Sequence, residues 1–210
     1  MKFLNPLLLV VVLLTSFHSN AESPQKENPM KGVKRWGSIP VVKDTIYFPI
    51  PDGFPMTAAW DQNKPGLYQA WFYPDGQTKE NWKDTLHLMA FPGIPKGSDT
   101  PAKQLLEIIS QPIKAACPHD FLSEPKLQQD AKRASAIMGC RKLPNGSAIY
   151  GYYLAIQSEE SMYVLARELR QGSFVGEIPI PKSLQSQWQS QVDRAIVCRR
   201  NEMCFNANDR

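Results

Sequence analysis

Beyond its first 21 residues the chain has two histidines, His87 and His119, and four cysteines, Cys117, Cys140, Cys198 and Cys204. Each kind could do chemistry. In Cys117-Pro118-His119-Asp120 a thiol stands two positions from an imidazole, the pairing that generates a nucleophilic thiolate. His87 lies in DTLHLMAF (84–91), on the same side as Met89 and Phe91 if that stretch is extended. Either histidine beside a carboxylate would suit a hydrolase of unrecognised type. The competing readings are simpler. His87 fits a satisfied core or interface histidine, and His119 an exposed loop beside a bridged cysteine. No G-x-S-x-G elbow, H-E-x-x-H pair or P-loop occurs. S-x-x-K occurs at Ser23–Lys26 and Ser123–Lys126, but the S-D-N and K-T-G partners that give it meaning are missing. No C-x-x-C pair supports a zinc site. The expectation is no catalytic constellation, no metal and no cofactor.

The aromatic residues say more. Trp60, Tyr68, Trp71, Tyr73 and Trp82 fall close together in the chain. In LYQAWFY (67–73), alternation puts Trp71 and Tyr73 on one face and Tyr68 and Phe72 on the other. Such rings either fill a core or form a partner-binding hot spot. Trp60, Trp71, Tyr73 and Trp82 are therefore the candidate binding residues. They could grip a protein or, through Trp71 and Tyr73, stack on a sugar.

The compartment follows from the start of the chain. Lys2, an apolar run over 7–14 and small residues at Ser19 and Ala21 form a secretory signal peptide, with cleavage after Ala21. The run is too short to span a bilayer, which takes roughly 20 apolar residues. Export, to the periplasm or the medium, makes the even cysteine count read as two disulfides. Three pairings are possible. Cys198–Cys204 is favoured because five intervening residues close as a small loop, which leaves Cys117–Cys140. Each bridge should contribute roughly 2–4 kcal/mol. The formal net charge of +4 falls by one with loss of Lys2. Lysines and arginines form no stripe suited to nucleic acid, and no second apolar segment offers a membrane span.

The elements that must position these residues read as follows. Residues 22–38 are a polar, proline-punctuated lead-in, with Trp36 marking where order begins. Residues 39–210 form one domain. Strands are expected over 45–48, 67–73 and 84–91, the last two as neighbours. Thr100-Pro101 should start a helix carrying Leu105, Ile109 and Ile113, which Pro112 kinks or ends. Strands follow over 133–141, 147–157 and 161–170. The last two form a hairpin in which Tyr150, Tyr152, Leu154 and Ile156 meet Tyr163, Leu165 and Leu169. Ser183 caps a final helix whose Leu184, Trp188, Val192 and Ala195/Ile196 form one stripe leading into Cys198. The fold class is α+β: an antiparallel sheet with two amphipathic helices packed on one face, in two layers, stapled by two disulfides.

The stretch 68–91, with Tyr73-Pro74-Asp75-Gly76 and Glu80-Asn81-Trp82, then Cys117, Cys140, Gly146, Tyr163-Val164 and a helix ending at Cys198, resembles small uncharacterised exported proteins of Gram-negative bacteria. The order of elements is similar to the PsbP-like α+β fold. The resemblance implies a partner-binding protein and transfers no catalytic residue. The functional expectation is a non-catalytic exported protein that binds another protein, an envelope or secretion-associated accessory factor. A hydrolase using His87 or His119 and a carbohydrate-binding module are the alternatives.

Overall fold

The computed structural model describes residues 33–93, 99, 101–126, 132–200 and 204. The expected signal segment, residues 22–32 of the expected lead-in and the expected Thr100 cap lie outside them. Ten strands and two helices are described: β1 (Trp36–Val41), β2 (Asp44–Pro49), β3 (Trp60–Lys64), β4 (Leu67–Phe72), β5 (Asp84–Pro92), α1 (Pro101–Ala116), β6 (Phe121–Lys126), β7 (Arg133–Cys140), β8 (Ser147–Gln157), β9 (Ser161–Gly172), α2 (Lys182–Val192) and β10 (Ile196–Arg199). All pairings are antiparallel. A seven-stranded sheet runs β3-β4-β5-β9-β8-β7-β6, and a three-stranded one runs β1-β2-β10. The class is the expected one, α+β with antiparallel sheets and two helices. β1 opens at Trp36, so the last three residues of the expected lead-in are strand.

The expected hairpin is β8–β9, with Tyr150 opposite Leu169, Leu154 opposite Leu165 and Ile156 opposite Tyr163. Over 152–156 and 162–166 both strands are apolar on both faces. Tyr152, Tyr153, Leu154, Ala155 and Ile156 are all buried, as are Met162, Tyr163, Val164, Leu165 and Ala166. Strands of this kind must be covered from two sides, and they are. On one side α1 sets Ala102, Leu105, Leu106 and Ile109 against Ala134, Ala136, Met138, Tyr153, Ala155, Met162, Val164 and Ala166. On the other, Trp188 and Val192 of α2 join Ile46 and Phe48 of the small sheet over Tyr152, Leu154, Ile156, Tyr163 and Leu165. The two helices therefore lie on opposite faces, and the domain has three layers. This corrects the expectation of two helices on one face and of two layers.

Two local expectations also change, and a third narrows. α1 runs through Pro112 to Ala116, so of the two expected effects of Pro112, a kink or an end, the end does not occur. Pro181, not Ser183, stands at the N-cap of α2, with no side-chain cap. Ile196 belongs to β10, not to the helix, because the chain turns back after Val192 to pair with β2. The turn is clamped by Arg133, whose guanidinium donates to the Asp193 carbonyl at 2.6 Å and to the Ala195 carbonyl at 3.0 Å. The Tyr152 hydroxyl donates to the Asp193 carboxylate at 2.7 Å.

Both favoured disulfides are present. Cys117–Cys140 ties the end of α1 to β7, and Cys198–Cys204 closes the small loop after β10. Among the described residues no helix is long and apolar enough to cross a membrane.

Candidate functional site

Strand register gathers the chemistry-bearing residues in one row. Trp60 of β3 stands opposite Trp71 of β4, Trp71 opposite His87 of β5, His87 opposite Ala166 of β9, and Ala166 opposite Tyr153 of β8. Residues directly opposite share a face. Ala166 and Tyr153 pack under α1, so the whole row faces the α1 side. The buried layer under α1 draws on β7, β8 and β9, and no residue of β3 or β4 belongs to it. Trp60 and Trp71 are only half-buried as a result.

The rings form a column. Trp60 stacks on Trp71 with centroids 3.9 Å apart and planes at 28°. Trp71 stacks on His87 at 4.5 Å and 16°. The Lys79 ammonium covers the outer face of Trp60 at 3.9 Å from its centroid, a cation–π contact. Both faces of Trp71 are thus occupied by rings. A pyranose has no free Trp71 face to stack on, which counts against the carbohydrate reading.

At its inner end the column meets a buried polar group. His87 is 8% exposed. Its Nδ1 lies 3.6 Å from Glu168 Oε2, and its Nε2 lies 3.3 Å from Gln69 Oε1. The Tyr153 hydroxyl donates to Glu168 Oε1 at 2.7 Å. Gly151, paired with Glu168, makes the room: a Cβ there would come 2.4 Å from the Arg167 carbonyl oxygen and 3.1 Å from Glu168 Cγ. Burial alone would raise the Glu168 carboxyl. The imidazole of His87 and the Tyr153 hydroxyl outweigh it and hold the group below its ordinary 4.5. Burial, then the Glu168 charge, pushes the Tyr153 phenol well above 10.

The sign of this shift fixes a pH dependence. The carboxylate form is favoured more in the folded than in the unfolded chain. Glu168 therefore adds stability above about pH 4.5, and the contribution disappears as pH falls through the lower folded value. Glu168→Gln should be less stable than the parent at pH 7, with the gap narrowing towards pH 3 in urea melts. A gap that stays constant over that range would contradict this assignment.

Of the four candidate binding residues, the structure brings Trp60 and Trp71 into contact. Tyr73 lies two residues beyond Trp71 on the same face but is only 4% exposed. Trp82 is half-buried in the β4–β5 connection, 5.8 Å from the Arg170 guanidinium. His119 is exposed in the turn after α1, and its neighbour Asp120 pairs with Arg141 at 3.5 Å. Glu168, Gln69 and Lys79 complete the column and escaped sequence reading. Gln69 alternates with apolar Tyr68 and Ala70, the one signal that it faces the same side as His87, whereas Glu168 stands between Arg167 and Leu169 and carries no such signal. All four cysteines are bridged, and among the described residues no group of three His, Cys, Asp or Glu side chains could hold a metal.

No family model and no curated protein sequence matches the chain. Among solved structures it is similar to the Saccharomyces cerevisiae Ran-binding protein Mog1p. The TM-score is 0.50 at 8% identity, over 77% of this chain and 95% of that one. At that identity the likeness shows the fold alone.

Proposed function

We propose that this is an exported, non-catalytic protein that binds another protein through the β3–β4 side of its α1 face, an envelope or secretion-associated accessory factor. The observation that carries the reading is the half-buried Trp60–Trp71 pair on strands outside the layer that α1 buries. Tryptophan is among the residues most enriched at the energetic centres of protein interfaces. Export rests on the leader-like start of the chain, and two disulfides suit an oxidising compartment. The order of elements keeps the small exported Gram-negative proteins and the PsbP-like fold as the chain's proposed relatives. The yeast neighbour is a Ran-binding protein, which adds an analogy and no partner.

The hydrolase alternative draws on one specific observation, the His87–Glu168 pair. It fares worse on geometry. A general base needs a nitrogen within reach of substrate, and here Nδ1 faces Glu168 while Nε2 faces Gln69 beneath Trp71.

A photo-reactive residue placed at Gln62, beside Trp60 on β3, should give one dominant adduct in cells. Truncating a hot-spot tryptophan costs about 2 kcal/mol or more, roughly 30-fold in affinity. Trp60→Ala should therefore deplete the adduct, and Trp60→Ala with Trp71→Ala should abolish it, in protein that still melts cooperatively. An adduct that survives in the folded double variant would show that partners dock elsewhere.

A further inference from the structure

His87 has an oxygen acceptor opposite each ring nitrogen: Glu168 Oε2 at Nδ1 and Gln69 Oε1 at Nε2. A neutral imidazole carries one N–H and can satisfy only one of them. An imidazolium carries two and satisfies both. Its ring plane also lies against Trp71, where a cation gains from the indole face. Both acceptors and the indole face suit the charged ring, yet an imidazole ordinarily loses its charge between about pH 5 and 8.

We propose that the column is a proton-operated switch, in which loss of the His87 proton turns the Gln69 amide over and loosens the Trp71–Trp60 stack at the proposed docking surface. On deprotonation His87 keeps one N–H for Glu168. The bare Nε2 then requires a donor, which Gln69 supplies by presenting its amide nitrogen in place of Oε1. Among the described residues around the ring, no other side chain is placed to supply that donor. β9 contributes Glu168 and Ala166, and β8 contributes Tyr153, whose hydroxyl is already given to Glu168. β4 contributes Gln69 and Trp71, and just beyond it burial, then the charges of Glu168 and Glu80, raise the Tyr73 phenol above its ordinary 10. The α1 side chains buried in this layer are apolar. Lys79 acts only from beyond Trp60. The cation–π attraction between ring and Trp71 vanishes with the proton, and through Trp71 the change reaches Trp60.

The regulatory consequence rests on the binding role proposed above, but the switch can be tested without any partner. Titrate the oxidised protein by NMR from pH 5 to 8.5, following both imidazole rings and the indole N–H signals. The Trp71 and Trp60 indole signals should shift with the midpoint of His87 and not with that of exposed His119. His87→Gln should abolish those shifts. Indole signals of Trp60 and Trp71 that stay flat while His87 titrates would overturn the switch. So would a His87 ring that never changes charge over this range. The wild-type titration decides the matter even if His87→Gln does not fold. A flat titration in protein whose Gln62 adduct is still lost on Trp60→Ala would remove the switch and leave the binding role standing.

Discussion

Arg167→Ala should cost the domain about 3–5 kcal/mol, the toll of breaking a buried ion pair from one side. Arg167 of β9 lies on the face opposite the aromatic column. Its Nε and Nη2 donate to Asp84 Oδ1 and Oδ2, each at 2.6 Å. The two side chains are only 10% and 24% exposed, so the pair is shielded from screening. The guanidinium also lies 4.3 Å above the Phe54 ring. Removing it strands a half-buried carboxylate and uncovers Phe54. Asp84→Ala should be similarly costly, since it leaves the arginine without its acceptor. The double replacement Asp84→Leu with Arg167→Met should recover most of the loss, because a buried pair gives little net stability over apolar residues of like volume. Urea melts with unchanged m-values would read all three. A loss below about 1 kcal/mol for Arg167→Ala would mean that water reaches the pair and screens it.

The same strand shows what sequence reveals and what it hides. Alternation across β8 and β9 sets Tyr150, Tyr152, Leu154 and Ile156 on one face against Tyr163, Leu165 and Leu169. The structure supplies the register: Tyr150 opposite Leu169, Leu154 opposite Leu165, Ile156 opposite Tyr163, with Tyr152 opposite Arg167. The hydrophobic run that made this hairpin legible also held the information that corrects the layer count. Five consecutive buried residues from Tyr152 to Ile156 cannot all point one way, so covers on both faces were implied. β3 was invisible for the opposite reason. Trp60-Asp61-Gln62-Asn63-Lys64 is polar, and its strand state comes from pairing with β4 rather than from any pattern of its own. β10 was read as helix because Ile196 continues the spacing of Val192, and only the Arg133 clamp and pairing with β2 turn the chain there.

The candidate site was half legible. Trp71 and His87 sit on strands expected to be neighbours, and alternation correctly assigned Trp71 its face. Their direct opposition depends on the length of the β4–β5 connection, which composition cannot supply. Glu168 comes from 81 positions beyond His87 in the chain, and only the β5–β9 pairing brings it near. Long-range pairing is what single-sequence periodicity lacks. The same topology leaves β3 and β4 outside the layer under α1, so the seven-stranded sheet makes a half-buried aromatic edge out of residues that could equally have filled a core.

Trp188→Ala should cost about 3–5 kcal/mol, as core truncations of this size do. α2 has little else to hold it. Apart from Leu184, Trp188 and Val192 it is built of serine, glutamine and one lysine, and its N-cap makes no side-chain hydrogen bond. A helix of 11 residues is marginal without packing. Trp188, 1% exposed, plugs it into the core beside Ile46, Phe48 and Tyr152. Trp188→Phe separates shape from polarity. The indole Nε1–H is buried with no hydrogen-bond partner among the described residues, and an unmet donor costs about 1–3 kcal/mol. Phenylalanine loses apolar area but also removes that donor, so its net cost should stay well below that of alanine. Denaturant melts rank the two, and hydrogen exchange in β10 should rise with the alanine variant as the α2 cover loosens over the small sheet. If phenylalanine proves as costly as alanine, the indole is held by a hydrogen bond, and Trp188 is a polar anchor as well as a plug.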